Sequence, residues 1–390
     1  MKKILKTTLL SVTVATSLSA LTYEHPQLYK DPKVIGMGGA NVAVGGHASA
    51  LFYNPAGLSF IPREYGVEVE LINFSASINQ NIVDFGQDFS DATDDPAVVT
   101  GDSDTDETLA MLDVVDAYMG ENIHFDANNF TSVSRKGEKV GFAVGAVGGA
   151  TFDARTHRGF GNDGVMEMQG LGYYGAAGGF SYDFSNVEIA DKYILNDFSL
   201  GLGVKQINYM SLEHAFTISE LIRDDFDTYV EDELLKEGSS TVFDVGAMYK
   251  LSENTQIGLS AINIGGIGDE DSVYIPMTVN AGIGYLKRWE DHMLFNQVRV
   301  ALDYVDILYA YDQDKDVMKR TRAGVEANVW DGWFSTMTLR AGLYQGAPTY
   351  GANLRLTFLQ LGYAYYQEEV GAYAGQDKDE RHMVNLSLGW

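Results

Sequence analysis

The ten residues "MTVNAGIGYL", Met277 to Leu286, alternate without a break: Met277, Val279, Ala281, Ile283 and Tyr285 fall on one side of an extended chain, and Thr278, Asn280, Gly282 and Gly284 on the other. Successive side chains of a strand point to opposite faces, so one face here is oily and the other polar or small. The end of the chain repeats the pattern, with Val384, Leu386, Leu388 and Trp390 facing one way and Asn385, Ser387 and Gly389 the other. Segments of about ten residues with this alternation, closed by an aromatic, suit strands that cross a membrane between lipid and a wet lumen.

Working outward, the alternation recurs near 65–79, 127–136, 138–150, 167–183, 197–210, 239–251, 255–264, 275–287, 293–305, 318–330, 333–345, 348–358, 359–368 and 380–390, which makes fourteen segments. An even number is what a closed antiparallel barrel with both ends on the periplasmic side requires. Most connections alternate between long (80–126, 151–166, 211–238, 265–274, 306–317, 369–379) and short (Gly137, Ser252 to Asn254, Asp331–Gly332). Two depart from this: 184–196 is long for a tight turn, and 345–348 is short for an external loop.

A soluble β-sandwich also alternates, but its strand faces are either core or solvent. Here the polar face of four consecutive segments carries Arg299, Asp303, Arg322, Glu326, Arg340 and Arg355, which a lumen can hold and pair, while the opposite face is aliphatic and aromatic throughout. The expected class is therefore all-β, a transmembrane antiparallel barrel of about fourteen strands.

Lys2, Lys3 and Lys6 precede an apolar run to Ala15 and small residues around Ser17 to Ala20, so residues 1–20 are expected to be a cleaved signal peptide. No later run reaches the roughly 18 apolar residues of a spanning helix. The chain has 0 cysteines, which removes disulfides, thiolate metal sites and a lipidated N-terminal Cys. With 27 basic residues against 54 acidic ones, nucleic acid is not an expected partner.

Two long loops carry helix-period stripes: Met111, Val114, Val115 and Tyr118 in 105–119, and Ile222, Phe226, Tyr229, Val230 and Leu234 in 218–235. Such stripes either bury against the barrel rim or form an external groove for an apolar solute. The acidic triplets Asp102/Asp104/Asp106 and Asp312/Asp314/Asp316 lack the glycine and the twelfth-place glutamate of a calcium loop, and are expected to be solvated loop faces. The seven histidines are scattered, with no HExxH, so neither catalysis nor a metal or cofactor site is expected.

The segment "IGMGGANVAVGGHASALFYNPAGLS", 35–59, has no strand before it and no Gly-Lys-Ser/Thr after it, so it is not a phosphate loop. With Gly36-Met37-Gly38-Gly39-Ala40, Ala48-Ser49-Ala50 and Asn54-Pro55-Ala56-Gly57-Leu58, it resembles the N-terminal segment of FadL-type outer-membrane transport proteins, of PorV-type barrels and of TraF-like conjugal transfer barrels. The C-terminal part, "RAGLYQGAPTYGANLRL" to the last strand, is most similar to the TraF-like and PorV-like branch. The resemblance implies a fourteen-stranded barrel (65–390) whose N-terminal segment (21–64) folds into the lumen as a hatch involving Gly38, Gly39, His47, Asn54, Pro55, Ala56 and Gly57. His47 departs from the acidic residue common there in the family, and a histidine titrates near neutral pH. For function it implies passive passage of hydrophobic small molecules across a Gram-negative outer membrane, or a structural role in a conjugal transfer or secretion machine. Outer-membrane lipids and lipopolysaccharide are the expected surroundings.

Overall fold

The computed structural model describes residue 24 and residues 27–389 apart from 63–65, 95–102, 157–163, 185–186, 190–192, 196–197, 222, 224, 269–271, 290–293 and 312–314. The expected signal peptide and Trp390 lie outside the described residues.

Fourteen strands close into one antiparallel barrel: β1 (Val67–Asn79), β2 (Asn122–Lys136), β3 (Val140–Thr156), β4 (Met166–Asp183), β5 (Phe198–Phe216), β6 (Lys236–Lys250), β7 (Thr255–Ile264), β8 (Thr278–Arg288), β9 (Gln297–Tyr304), β10 (Thr321–Asp331), β11 (Ser335–Tyr344), β12 (Ala347–Leu356), β13 (Leu359–Glu369) and β14 (Lys378–Gly389). Each pairs with its chain neighbour, and β1 closes the ring against β14, with Asn79 opposite Arg381 and Phe74 opposite Leu386. No described helix is long and apolar enough to cross a membrane. The crossing is made by strands, whose outward residues form an apolar belt: Phe142, Val144, Leu202, Val204, Val300, Leu302, Leu339, Leu343, Val384 and Leu386 are all exposed.

Several strands outrun their expected ends. β2 starts at Asn122 rather than 127, β3 runs to Thr156 rather than 150, and β5 to Phe216 rather than 210. These extensions continue the ladder without a lipid-facing aliphatic stripe, so hydrophobic alternation could not report them. The two irregular connections have distinct causes. Gln345–Gly346 is a two-residue turn with φ of 52° and 82°, the geometry that matches the twist of a hairpin. The 184–196 connection holds a small hairpin of its own, Val187–Ile189 with Tyr193–Leu195. Beyond the first strand, the external connection contains helices Gln80–Asp94 and Ser103–Ala117. The expected helix over 218–235 is broken into Ile218–Leu221, Phe226–Tyr229 and Val230–Leu234.

Inside the ring sits the segment from Gln27 to Ile61, nearly all of it buried. Its Leu28, Tyr29, Leu51, Phe52 and Leu58 share one apolar core with the inward residues Phe130, Val147, Leu171, Tyr173, Ile207 and Val242 of β2 to β6. The hydrophobic core of this protein is therefore plug against wall.

Candidate functional site

The plug is built from short, capped turns. Asp31 caps the helix Pro32–Gly36 by accepting from Lys33 N at 2.9 Å, with proline at its first position, where the missing N–H costs nothing. Asn54 and Pro55 repeat the device at the 3-10 helix Pro55–Phe60, with Asn54 Oδ1 accepting from Ala56 N at 3.0 Å. The Asn54 amide then donates to Val42 O at 2.7 Å within the plug and to Ala247 O at 3.3 Å on β6. The Asn-Pro-Ala-Gly motif is thus a cap, a cross-tie and a wall contact in four residues.

The wall receives the plug at cross-strand glycine pairs. Gly201 and Gly246 face each other on β5 and β6, and a Cβ on them would lie 2.2 Å from Ala56 N and 2.0 Å from Asn54 Oδ1. Gly258 and Gly282 pair on β7 and β8, where a Cβ on Gly258 would meet Val42 O at 2.3 Å. Gly324 and Gly342 pair on β10 and β11, where the added atoms would meet Met37 O at 2.2 Å and Gly38 N at 2.5 Å. Only a strand pair stripped of side chains lets plug backbone lie directly on it. Gly38 answers from the plug side: its φ of 67° excludes most residues, and a Cβ would lie 2.3 Å from Ala323 O.

Polar anchors complete the seating. Asp303 Oδ2 on β9 accepts from the plug amides of Asn41 at 2.6 Å and Val42 at 2.7 Å. On the opposite wall Glu24 and Lys30 of the plug pair with each other, and Arg381 of β14 reaches Glu24 at 2.6 Å, Asp379 at 2.7 Å and Asp153 at 3.4 Å. His124 Nδ1 lies 2.7 Å from Asp153. Burial works to raise the Glu24 carboxyl, and Arg381, Lys30 and His124 outweigh it, holding it well below the usual carboxylate range. This cluster escaped sequence reading because its members come from the plug, β2, β3 and β14. The available signal was charge on the inward phase of β2, β3 and β14, which marks a wet or paired interior.

Of the expected lumen charges, Arg299, Glu326 and Arg340 come together, and Asp303 is spent on the plug amides. Glu326 of β10 sits between its cross-strand neighbours, accepting from Arg299 at 3.1 Å and Arg340 at 2.8 Å. Arg355 donates to Thr357 O at 3.1 Å, at the end of β12. Together with Lys33 and His47 these groups line a polar vestibule of about 220 Å³ beneath the plug. Arg322 points away from this set. Its guanidinium stacks 4.1 Å from the Tyr344 ring and donates to Lys319 O at 2.5 Å.

His47 closes a relay inside the plug. Ser49 Oγ donates to Asp31 Oδ2 at 2.5 Å, so it accepts from His47 Nδ1 at 2.7 Å. Burial pushes the imidazole down to about 4, outweighing the pull of the Asp31 carboxylate. Its Nε2 faces Asn41 Oδ1 at 3.3 Å.

Above the plug, under the external loops, lies a chamber of about 120 Å³. Leu28, Tyr29, Val34, Ile35 and Phe52 of the plug form its floor, Ile262, Thr278, Tyr344, Lys205 and Arg322 its sides, and Ile275, Val305 and Tyr311 its roof.

Among the described residues, the rings expected to form an external groove pack within their own loops. Ile222 and the Met111 side chain lie outside the described residues. Tyr118 packs edge-on against Phe85 at 5.3 Å and donates to Asp88, so it serves the helical pair, beside a half-buried Val115. Phe226 packs on Phe216 at 5.4 Å and Tyr229 donates to Glu220, both within their own loop.

No family model and no curated protein sequence matches the chain. Among solved structures it is similar to the Pseudomonas putida toluene transporter TodX, at TM-score 0.50 and 11% identity over 93% of this chain and 99% of that one. A TodX monoaromatic hydrocarbon channel mutant matches at TM-score 0.52 and 12% identity, over 95% and 99%. The Ralstonia pickettii toluene transporter TbuX matches at TM-score 0.50 and 13% identity, over 93% and 98%. At such identities the likeness is one of fold.

Proposed function

We propose that the chain is a FadL-type outer-membrane channel for the passive passage of small hydrophobic molecules. The carrying observation is the chamber between plug and external loops, walled by Leu28, Tyr29, Ile35, Phe52, Ile262 and Ile275, with a polar vestibule on the far side of the plug. Enclosed apolar space with a few convergent polar groups is the usual form of a small-molecule site. Solutes partition into the chamber from outside, and displacement of the plug connects it to the vestibule. The shared barrel of the toluene transporters supports this reading as an analogy of fold.

The test uses the cysteine-free chain. A Cβ on Gly36 would lie 3.4 Å from Arg340 Cβ, so Gly36→Cys with Arg340→Cys places a disulfide between plug and β11. Oxidation is expected to stop toluene uptake by intact cells and reduction to restore it. Uptake unchanged by the lock, or by loss of the whole protein, refutes the proposal.

A second reading, a TraF-like or PorV-like partner barrel, draws on one observation. The short turns carry exposed aromatics, with Trp333 96% exposed and Phe334, Phe295 and Phe358 also exposed. Crosslinking from Trp333 in intact cells is expected to capture one reproducible protein if this is a docking edge. Lipid adducts alone sink it.

A further inference from the structure

The chamber is not lined as a pure hydrocarbon site would be. Lys205, Lys319, Arg320 and Arg322 reach its walls, each at most 3% exposed, against the single carboxylate of Asp306. Lys205 lies 2.9 Å from Asp244, and Arg320 lies 3.2 Å from Asp306.

Arg322 differs. Among the described residues no carboxylate oxygen lies within 4.0 Å of it, and its hydrogen bonds run from Nη1 alone to the backbone oxygens of Lys319 and Thr321. Its cross-strand neighbour Asp303 is turned down to the plug, where Oδ2 takes the amides of Asn41 and Val42. The plug turn at Gly39 packs against the Arg322 side chain and the Tyr344 ring, which holds the guanidinium at the chamber wall. The opposite Asp303 carboxylate attracts this charge without touching it, so an anion entering the space gains the direct contact that the guanidinium lacks.

We propose that the chamber selects a compact ring carrying a carboxylate, over a neutral hydrocarbon. The carboxylate docks on the Arg322 guanidinium, whose planar N–H fork matches it. The ring lies on Tyr29 and Phe52, the latter already 5.6 Å from the Lys205 ammonium. Size sets the other limit: about 120 Å³, less than the about 150 Å³ of an apolar cavity that holds benzene, admits at most a single ring and no long acyl chain. This inference rests on the channel reading above.

The test is calorimetric titration of the purified full-length barrel in neutral detergent with sodium benzoate and with benzamide, its neutral counterpart of equal shape. Benzoate is expected to bind at least tenfold more tightly, and Arg322→Gln to abolish that preference. Lys205→Met, on the far side of the chamber, is expected to reduce the preference less. Equal binding of the two probes by the unaltered barrel overturns the anion inference, as does a preference that survives in a folded Arg322→Gln barrel. Neither outcome touches the channel reading, which is judged by toluene uptake under the plug lock. The probe comparison on the unaltered barrel decides the matter should the variant fail to fold.

Discussion

Gly324 to alanine isolates what the glycine pairs do. At a strand position free of contacts, glycine to alanine stabilises by about 0.5–1 kcal/mol, because the unfolded chain loses freedom. Gly178 of β4 is such a position, since its added Cβ would meet nothing nearer than 3.5 Å. At Gly324 the Cβ would lie 2.2 Å from Met37 O, 2.6 Å from its carbonyl carbon and 2.8 Å from its Cα, all plug backbone. Ordinary carbon–oxygen contact begins near 3.3 Å, so the plug must retreat by about 1 Å, since β10 is held by ladders on both sides. Overpacking of this kind costs about 1–3 kcal/mol, which is about 5- to 150-fold in a plug-opening equilibrium. The assay follows from the absence of cysteine: Val42→Cys, smaller than the valine it replaces and 3% exposed, is the one thiol in the protein. Its labelling by a membrane-impermeant maleimide is expected to accelerate within that range in Gly324→Ala and to stay unchanged in Gly178→Ala. Equal labelling in all three barrels refutes the idea that the wall glycines seat the plug.

Asp303→Ala orphans two buried plug amides, at about 1–3 kcal/mol each; protease sensitivity of the plug should rise, with the barrel core resistant. Arg381→Met leaves Glu24, Asp153 and Asp379 without their shared cation, an expected loss of about 3–5 kcal/mol, read as a lower unfolding temperature in heat-shift electrophoresis. His47 is neutral in the fold, so the unfolded chain takes up its proton first as pH falls through 6.5, and stability declines from there towards about 4. The gap is worth at most about 3 kcal/mol, less here because the ring is half-buried at the vestibule, and His47→Gln should flatten that part of the stability-versus-pH profile.

How far the sequence carried this picture follows from what repeats locally. Period-two alternation was sufficient to place each barrel strand, because lipid on one side and a packed lumen on the other impose it on every crossing. Arg299, Glu326 and Arg340 were recognisable as inward, since they share one phase on adjacent strands. The chamber was not recognisable, because Phe52, Ile262 and Arg322 meet only after the ring has closed. The helix Gln80–Asp94 was missed although its sequence carries a stripe, with Ile82, Phe85 and Phe89 at helical spacing around Gly86. The glycine pairs were visible only as a high count of 42, and their meaning depends on register, which no single strand contains.

The seam between β1 and β14 bears on how the molecule is assembled. The plug precedes β1 in the chain, and Tyr29 is held by Asn73 of β1, while Glu24 is held by Arg381 of β14. Arg381 is brought by the final strand, so the ion cluster cannot form until the wall is shut. The last pairing therefore both completes the wall and brings the cation that fastens the segment it encloses.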